Sequence, residues 1–224
     1  METYEVMRTT FAARAFTDAP VDDATLVRIL DNARFAPSGG NRQGWQVIVV
    51  RDAALRTRFV ELMRPIAQRY VAQVQAGENP LNTVVPTRLS AAEIEATRPP
   101  EALLAQLVSA PVLLVVAVDL SVVAAMDSAL PRIGVVPGAS IYPFVWNVLL
   151  AARNEGLGGT LTTFLASAEP DVQALLGLPP QYAIAAMLPL GHPVKQLRKL
   201  RRKPVSSFAW IDRFGGTPLV PPGT

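Results

Sequence analysis

The residues best suited to chemistry fall in four places along the chain. The first is Ala36–Gln43, which reads APSGGNRQ and lies between a helical pattern and a short apolar run. Gly39 and Gly40 permit positive φ and a close approach of backbone to a flat ligand. Asn41 and Gln43 bring amides that donate and accept at once, which suits a heterocycle edge carrying both N–H and C=O groups. The same composition also serves an ordinary helix-to-strand turn. The second is GGTLTT at 158–163, glycines and small hydroxyls ahead of Phe164. The third is the pair Arg8 and Arg14, six apart on a predicted first helix and so not cleanly on one face. The fourth is KQLRKLRRK at 195–203, with Arg198, Arg201 and Arg202 among its six basic residues. Guanidinium forks there suit a phosphate monoester, and a solvated basic tail would look the same. Taken together, the four fit a planar cofactor with a phosphate tail.

Composition removes other chemistries. The 224 residues contain no Cys and one His, His192, so thiol nucleophiles, disulfides, Cys-ligated metals and two-histidine sites are absent. No G-x-S-x-G, G-x-G-x-x-G or Walker A pattern occurs. The net charge of +3 is local: without the six bases at 195–203, 15 basic residues face 18 acidic ones. A nucleic-acid surface is therefore not expected, since the run also lacks interleaved aromatics. The start of the chain shows no secretory pattern, and the lack of Cys fits a reducing, cytoplasmic setting. Ile133–Ala152 is apolar enough to span a bilayer nominally, but its prolines, Gly138 and Asn147 favour a buried helix, and no membrane association is expected.

The elements that must position these residues follow from periodicity. A first helix is predicted over 3–15. Asp22 caps a second that runs to about Phe35, with Leu26, Ile29, Leu30 and Ala33 on one stripe. WQVIVV at 45–50 is a strand. Residues 53–76 form a helix with Leu55, Phe59, Leu62, Ile66 and Tyr70 on one side. Residues 77–100 make an irregular excursion with one turn of helix, and 101–109 a short helix. PVLLVVAV at 111–118 and AIAAMLPL at 183–190 are buried strands. Between them lie a helix buried on all sides over 139–155, stopped by Gly156, and a helix from Ser167 to Leu176, stopped by Gly177. The tail from 208 to 224 is extended. Interleaved helices and distant strands predict one α+β domain over 1–224.

In this order the motifs resemble the FMN-dependent nitroreductase family. The resemblance runs from about residue 5 to 213. It rests on RTTFAARAF (8–16), the block around Pro37-Ser38-Gly39-Gly40-Asn41-x-Gln43, NVLLAARNEGLG (147–158) and the basic run after GHP. It implies a mixed sheet flanked by helices, an intertwined homodimer with two FMN sites at its interface, and a tail that wraps the partner. It also implies an FMN enzyme that oxidises NAD(P)H and reduces nitroaromatics, quinones or related small-molecule acceptors by ping-pong hydride transfer. Relatives that dehalogenate aromatics, or an FMN store or sensor without turnover, are the alternatives. Carried over by residue, Arg14 faces the flavin or its ribityl phosphate, and Pro37, Ser38, Gly39, Asn41 and Gln43 border the ring. Leu161, Thr162 and Thr163 approach the ring from the other side, with a backbone N–H toward N5. Arg202, helped by Arg201, holds the phosphate. The segments 77–100 and 142–146 shape the substrate side. The chain departs from the family at Thr10, Phe11 and Ala12, where two bases and a Ser are usual, so Arg8 is the candidate replacement.

Overall fold

The computed structural model describes residues 1–220. Its elements in order are α1 (Thr3–Thr9), α2 (Asp23–Ala33), β1 (Trp45–Val49), α3 (Ala53–Gln75), α4 (Ala91–Ala96) and α5 (Glu101–Val108). They continue with β2 (Val112–Asp119), α6 (Tyr142–Asn154), β3 (Gly158–Gly159), α7 (Glu169–Leu176) and β4 (Tyr182–Gly191). The sheet order is β1-β2-β4-β3, and all three ladders are antiparallel. A parallel pairing occurs at the bridge between Ala12 and Gly159.

The core follows from the two-residue period of the central strand. In β2, Leu114, Val116 and Val118 point to one side, where they pack with Ile29 of α2 and Val148 of α6. Leu113, Val115 and Ala117 point to the other, toward Phe59 and Met63 of α3, Leu104 of α5 and Val172 of α7. A strand covered on both faces needs no polar alternation, which is why its sequence is a continuous apolar run. In β4 the parity slips once, because the register jumps across Ala185 between Val116 and Ala117 of β2. Glu169 at the start of α7 accepts the Ile184 N–H at 2.7 Å beside this bulge.

Local signals place most ends. Asp22 and Asp52 cap α2 and α3, accepting from the Thr25 and Leu55 amides at 2.6 and 2.7 Å. Gly156 follows α6 at φ +81°, a left-handed exit that lets Leu157 N reach Ala152 O at 2.8 Å. The excursion contains α4, with a capping box between Ser90 and Glu93.

Four expectations change. The first helix stops at Thr9, not residue 15: Thr9 and Thr10 turn their hydroxyls back onto the carbonyls of Glu5 and Val6, and the chain then extends to pair with Gly159. Arg14 is therefore not helical. Ser167 does not open α7; it lies in a 3₁₀ turn over Phe164–Ala168, its hydroxyl on Phe164 O, and the α-helix begins at Glu169 with Pro170 in its first turn. Helix α6 is not buried all round, because Tyr142 and Trp146 stand 42% and 44% exposed. The tail is not extended through its described part: residues 209–219 fold back, with Trp210 bridged to Pro218; residues 221–224 lie outside the described residues. No described helix is long and apolar enough to cross a membrane.

Candidate functional site

The extended strip after α1 builds the first half of the site. Ala13 is buried and gives its N–H to Gly159 O at 3.0 Å, so Arg14 turns to the opposite side, toward solvent. There Arg14 lines a cavity of about 480 Å³ with Leu161, Thr162 and Thr163. The long helix α3 delivers Tyr70 to the same cavity, held edge-on against Phe164 with ring centroids 5.7 Å apart, and α5 supplies Leu103 and Leu107.

Residues 160–163 run beside β4 with strand-like alternation. Thr160 N bonds Pro189 O at 3.3 Å, and Thr162 exchanges both backbone bonds with Met187 at 3.0 and 2.8 Å. The Leu161 and Thr163 amides fall between these pairings and have no acceptor among the described residues. Gly158 and Gly159 serve packing rather than a ligand. A Cβ on Gly159 would sit 2.3 Å from Leu190 Cδ2, and one on Gly158 2.9 Å from Ala13 Cβ. Their small size lets the segment lie flat on its neighbours.

The second half is the loop after α2. Ala36 is anchored in the core, and Pro37–Gln43 then forms an exposed knuckle. Ser38 Oγ accepts the Gln43 N–H at 3.0 Å, Gly39 N donates to Ser140 Oγ at 3.1 Å, and Gln43 Nε2 reaches Asn41 Oδ1 at 3.2 Å. Gly40, Asn41 and Gln43 all have positive φ, 59°, 53° and 51°. Asn tolerates that region best among the non-glycine residues. With Gln43 Nε2 engaged, the Asn41 amide group and the Gln43 carbonyl remain for an outside partner.

One protomer does not bring these halves together. The loop enters β1 beyond Asp119, whose N–H bonds Gly44 O at 2.8 Å, and Asp119 faces Tyr182 at the start of β4. Thr162 is bridged to Met187, farther along β4, and Gly159 to Leu190 near its end. At about 3.3 Å per residue, that separates the halves by roughly 17–26 Å along the strand direction alone. They also belong to opposite faces, the loop following α2 and the cavity lying against α3 and α5.

The predicted basic partners stay outside the cavity. Arg8 is exposed on the last turn of α1, its guanidinium 6.0 Å from the Tyr4 ring centre. Arg201 and Arg202 are exposed, and Arg202 Nη1 folds onto Arg201 O at 2.7 Å. Thr10 is buried with its hydroxyl on Val6 O at 2.8 Å, so it does not replace the missing base.

A larger pocket, about 890 Å³, lies by the exposed side of α6. Tyr142, Trp146, Leu120, Val123, Val135 and Pro137 give it a mostly apolar lining. Its outer wall, the segment between β2 and α6, is tied around buried Asp127, whose Oδ2 accepts from Val135 N at 2.8 Å and Arg132 Nη1 at 2.6 Å. The Val135 amide first, then Arg132, holds this carboxyl below its ordinary range. Sequence reasoning missed Tyr70 as a cavity residue, since a Tyr on an apolar helical stripe reads as core. It missed Asp127 because the contacts that bury it come from a loop with no periodicity. Among the described residues, no cluster of three His, Asp or Glu side chains could hold a metal.

Residues 7–192 match the model of the nitroreductase family. A Streptomyces coelicolor protein provisionally named NADH dehydrogenase/NAD(P)H nitroreductase is 46% identical over 48 residues, 21% of this chain and 24% of that protein's length. A BluB-like flavoprotein from Clostridium difficile 630 superposes with TM-score 0.69 at 20% identity, covering 95% of this chain and 100% of its own. NfnB from Sphigopyxis sp. strain HMH, an FMN- and NADPH-dependent nitroreductase, gives TM-score 0.64 at 24% identity, covering 96% and 100%. At these identities the structural likenesses speak for the fold alone.

Proposed function

The chain belongs to the nitroreductase family, and from that premise we propose that it is an FMN-dependent NAD(P)H oxidoreductase acting on electron-poor small molecules such as nitroaromatics or quinones. The observation that carries this reading is the pair of unpartnered amides at Leu161 and Thr163 in the cavity that Arg14 also lines. Two N–H donors and a cation around a mostly apolar wall suit a flat ring whose edge gains negative charge on reduction. Bound FMN would supply the hydride chemistry. The chain's part is to hold and tune it. Thr163 N–H, one residue past the Thr162–Met187 pairing, is the donor assigned to the ring edge, and Arg14 the cation that favours the reduced form. Arg202, with Arg201, is assigned to the phosphate, with Arg8 in reserve.

The same proposal requires two copies. Pro37, Ser38, Gly39, Asn41 and Gln43 lie too far from Arg14 to share a ring within one chain, so a partner's loop completes each site. The exposed Tyr142 and Trp146 on α6, and the apolar tail beyond Phe208, would then be covered by the second subunit. A single domain working in the cytoplasm is part of this reading, and residues 77–100 and 142–146 are assigned to acceptor selection.

The test is optical. Purified protein should carry a yellow chromophore that bleaches with NADPH or NADH and recovers with a nitroaromatic or quinone, with parallel double-reciprocal plots. Yellow protein that does not bleach would indicate a flavin store or sensor. Colourless protein that FMN does not reconstitute would refute both.

A further inference from the structure

The loop at 37–43 is strained and thinly attached. Gly40, Asn41 and Gln43 hold positive φ, and for the two non-glycine residues that backbone costs energy which contacts must offset. Inside the loop the bonds converge on Ser38. Its carbonyl accepts the Asn41 N–H at 2.9 Å, and its hydroxyl accepts the Gln43 N–H at 3.0 Å. Among the described residues, one hydrogen bond ties residues 37–43 to the rest of the chain: Gly39 N–H donates to Ser140 Oγ at 3.1 Å, across 101 positions of sequence.

Ser140 stands where the helix behind the loop begins. It is buried, and it ends the short turn Val136–Ser140 that leads into α6. Its neighbours Pro137, Gly138, Ala139, Ile141 and Tyr142 all line the apolar pocket of about 890 Å³, and Ser140 does not. Two further residues along α6 hold the two ends of the loop. Phe144 stacks on Trp45, just past the loop, with ring centroids 4.8 Å apart and planes 5° from parallel. Asn147 Nδ2 reaches Ala33 O, at the end of α2, at 3.5 Å. Ser140, Phe144 and Asn147 are four and three residues apart, the spacing of one helical face. That face grips the entry, the middle and the exit of the loop. Only Ser140 grips the part that carries the amides.

We propose that Ser140 is a positioning residue for the cofactor site, an inference that rests on the flavin reading above. Its hydroxyl fixes Gly39, and through Gly39 it sets where the Asn41 amide and the Gln43 carbonyl meet the ring held across the subunit boundary. Ser140 itself touches neither the ring nor the acceptor. Without the hydroxyl, Gly39 N–H turns to water. The knuckle then keeps its internal bonds to Ser38 and loses its place on α6. The loss is that of one net hydrogen bond, about three- to tenfold in any equilibrium that needs the loop in place.

The experiment compares Ser140→Thr with Ser140→Val, which have nearly the same shape and differ by the hydroxyl. Full-length proteins are measured by hydrogen exchange over residues 37–44, by FMN affinity from flavin fluorescence, and by the position of the flavin absorption band at saturating FMN. Ser140→Thr should match wild type in all three. Ser140→Val should exchange the Gly39 N–H about three- to tenfold faster, bind FMN about three- to tenfold more weakly, and shift the band. A general loss of stability would instead speed exchange throughout α6 and leave the band of bound flavin in place. Ser140→Ala, which adds no methyl to the turn, should behave as Ser140→Val does. An Ala variant that matches wild type overturns the assignment, as do Thr and Val variants that behave alike. Wild type that takes up no FMN refutes the flavin reading instead, and exchange over 37–44 without FMN then decides whether Ser140 holds the loop.

Discussion

If each site is made by two chains, damage to its two halves should be separable. Consider Arg14→Glu in one chain and Asn41→Leu in the other. A charge-assisted hydrogen bond is worth ~1.5–3 kcal/mol. Exposure of Arg14 discounts this to about 1 kcal/mol for loss and about 2 for reversal, or roughly 30-fold in FMN affinity. Asn41→Leu removes an amide and places a branched side chain at φ 53°, which costs about 1–2 kcal/mol in the loop. Each homodimer should then be nearly colourless at micromolar flavin. Co-expression with two different tags isolates the heterodimer. With the halves roughly 17–26 Å apart along β4 in one chain, its two sites are unequal: one holds both changes, the other neither. The expected flavin absorbance is about half that of wild type. If Arg14 and Asn41 of the same chain met one flavin, both heterodimer sites would carry a single change, and the absorbance would stay near that of the parents. That result would refute the shared-site reasoning.

Other perturbations test other parts. Arg202→Glu should lower FMN retention in gel filtration far more than Lys195→Glu; equal losses would remove Arg202 from the phosphate. Asp127 has a carboxyl pKa lowered by Val135 N–H and Arg132, so its stabilisation is present above about pH 4 and lost as pH falls through the folded-state value. Asp127→Asn should therefore flatten the acid limb of a Tm-against-pH curve, leaving the slope due to Asp22, Glu78, Glu93 and Glu101, which are lowered too. Gly159→Ala should lower stability by about 1–3 kcal/mol in urea, because its Cβ falls 2.3 Å from Leu190 Cδ2 and 2.9 Å from Pro189 O. An unchanged midpoint would mean that β3 shifts freely.

What could be read from the sequence was what short-range physics controls. Asp22, Gly156 and Gly177 mark helix ends by local hydrogen bonding and left-handed backbone, and the Val-rich run of β2 announces a strand buried on two faces. The Pro37–Gln43 loop stood out because its glycines and amides are unusual together. The remainder depended on partners distant in sequence. Nothing near Thr10 says that the helix must stop so that Ala12 can pair with Gly159. The outward amides of Leu161 and Thr163 follow from the Met187 pairing, which no residue between 158 and 164 encodes alone.

The strip that carries Arg14 also has a consequence for assembly. It is held on one side by Gly159 and on the other by His192 and Val194, so residues near the start of the chain are seated by residues near its end. Such closures lose chain entropy before they gain contacts, and they form late. On the ribosome, Arg14 emerges long before the strands that fix it. The first helix and its strip must wait, unstructured or loosely held, until β4 has left the exit tunnel. The cofactor cavity is thus among the last parts of the protomer to exist. Flavin cannot nucleate the fold, and its uptake reports that the whole chain has arrived.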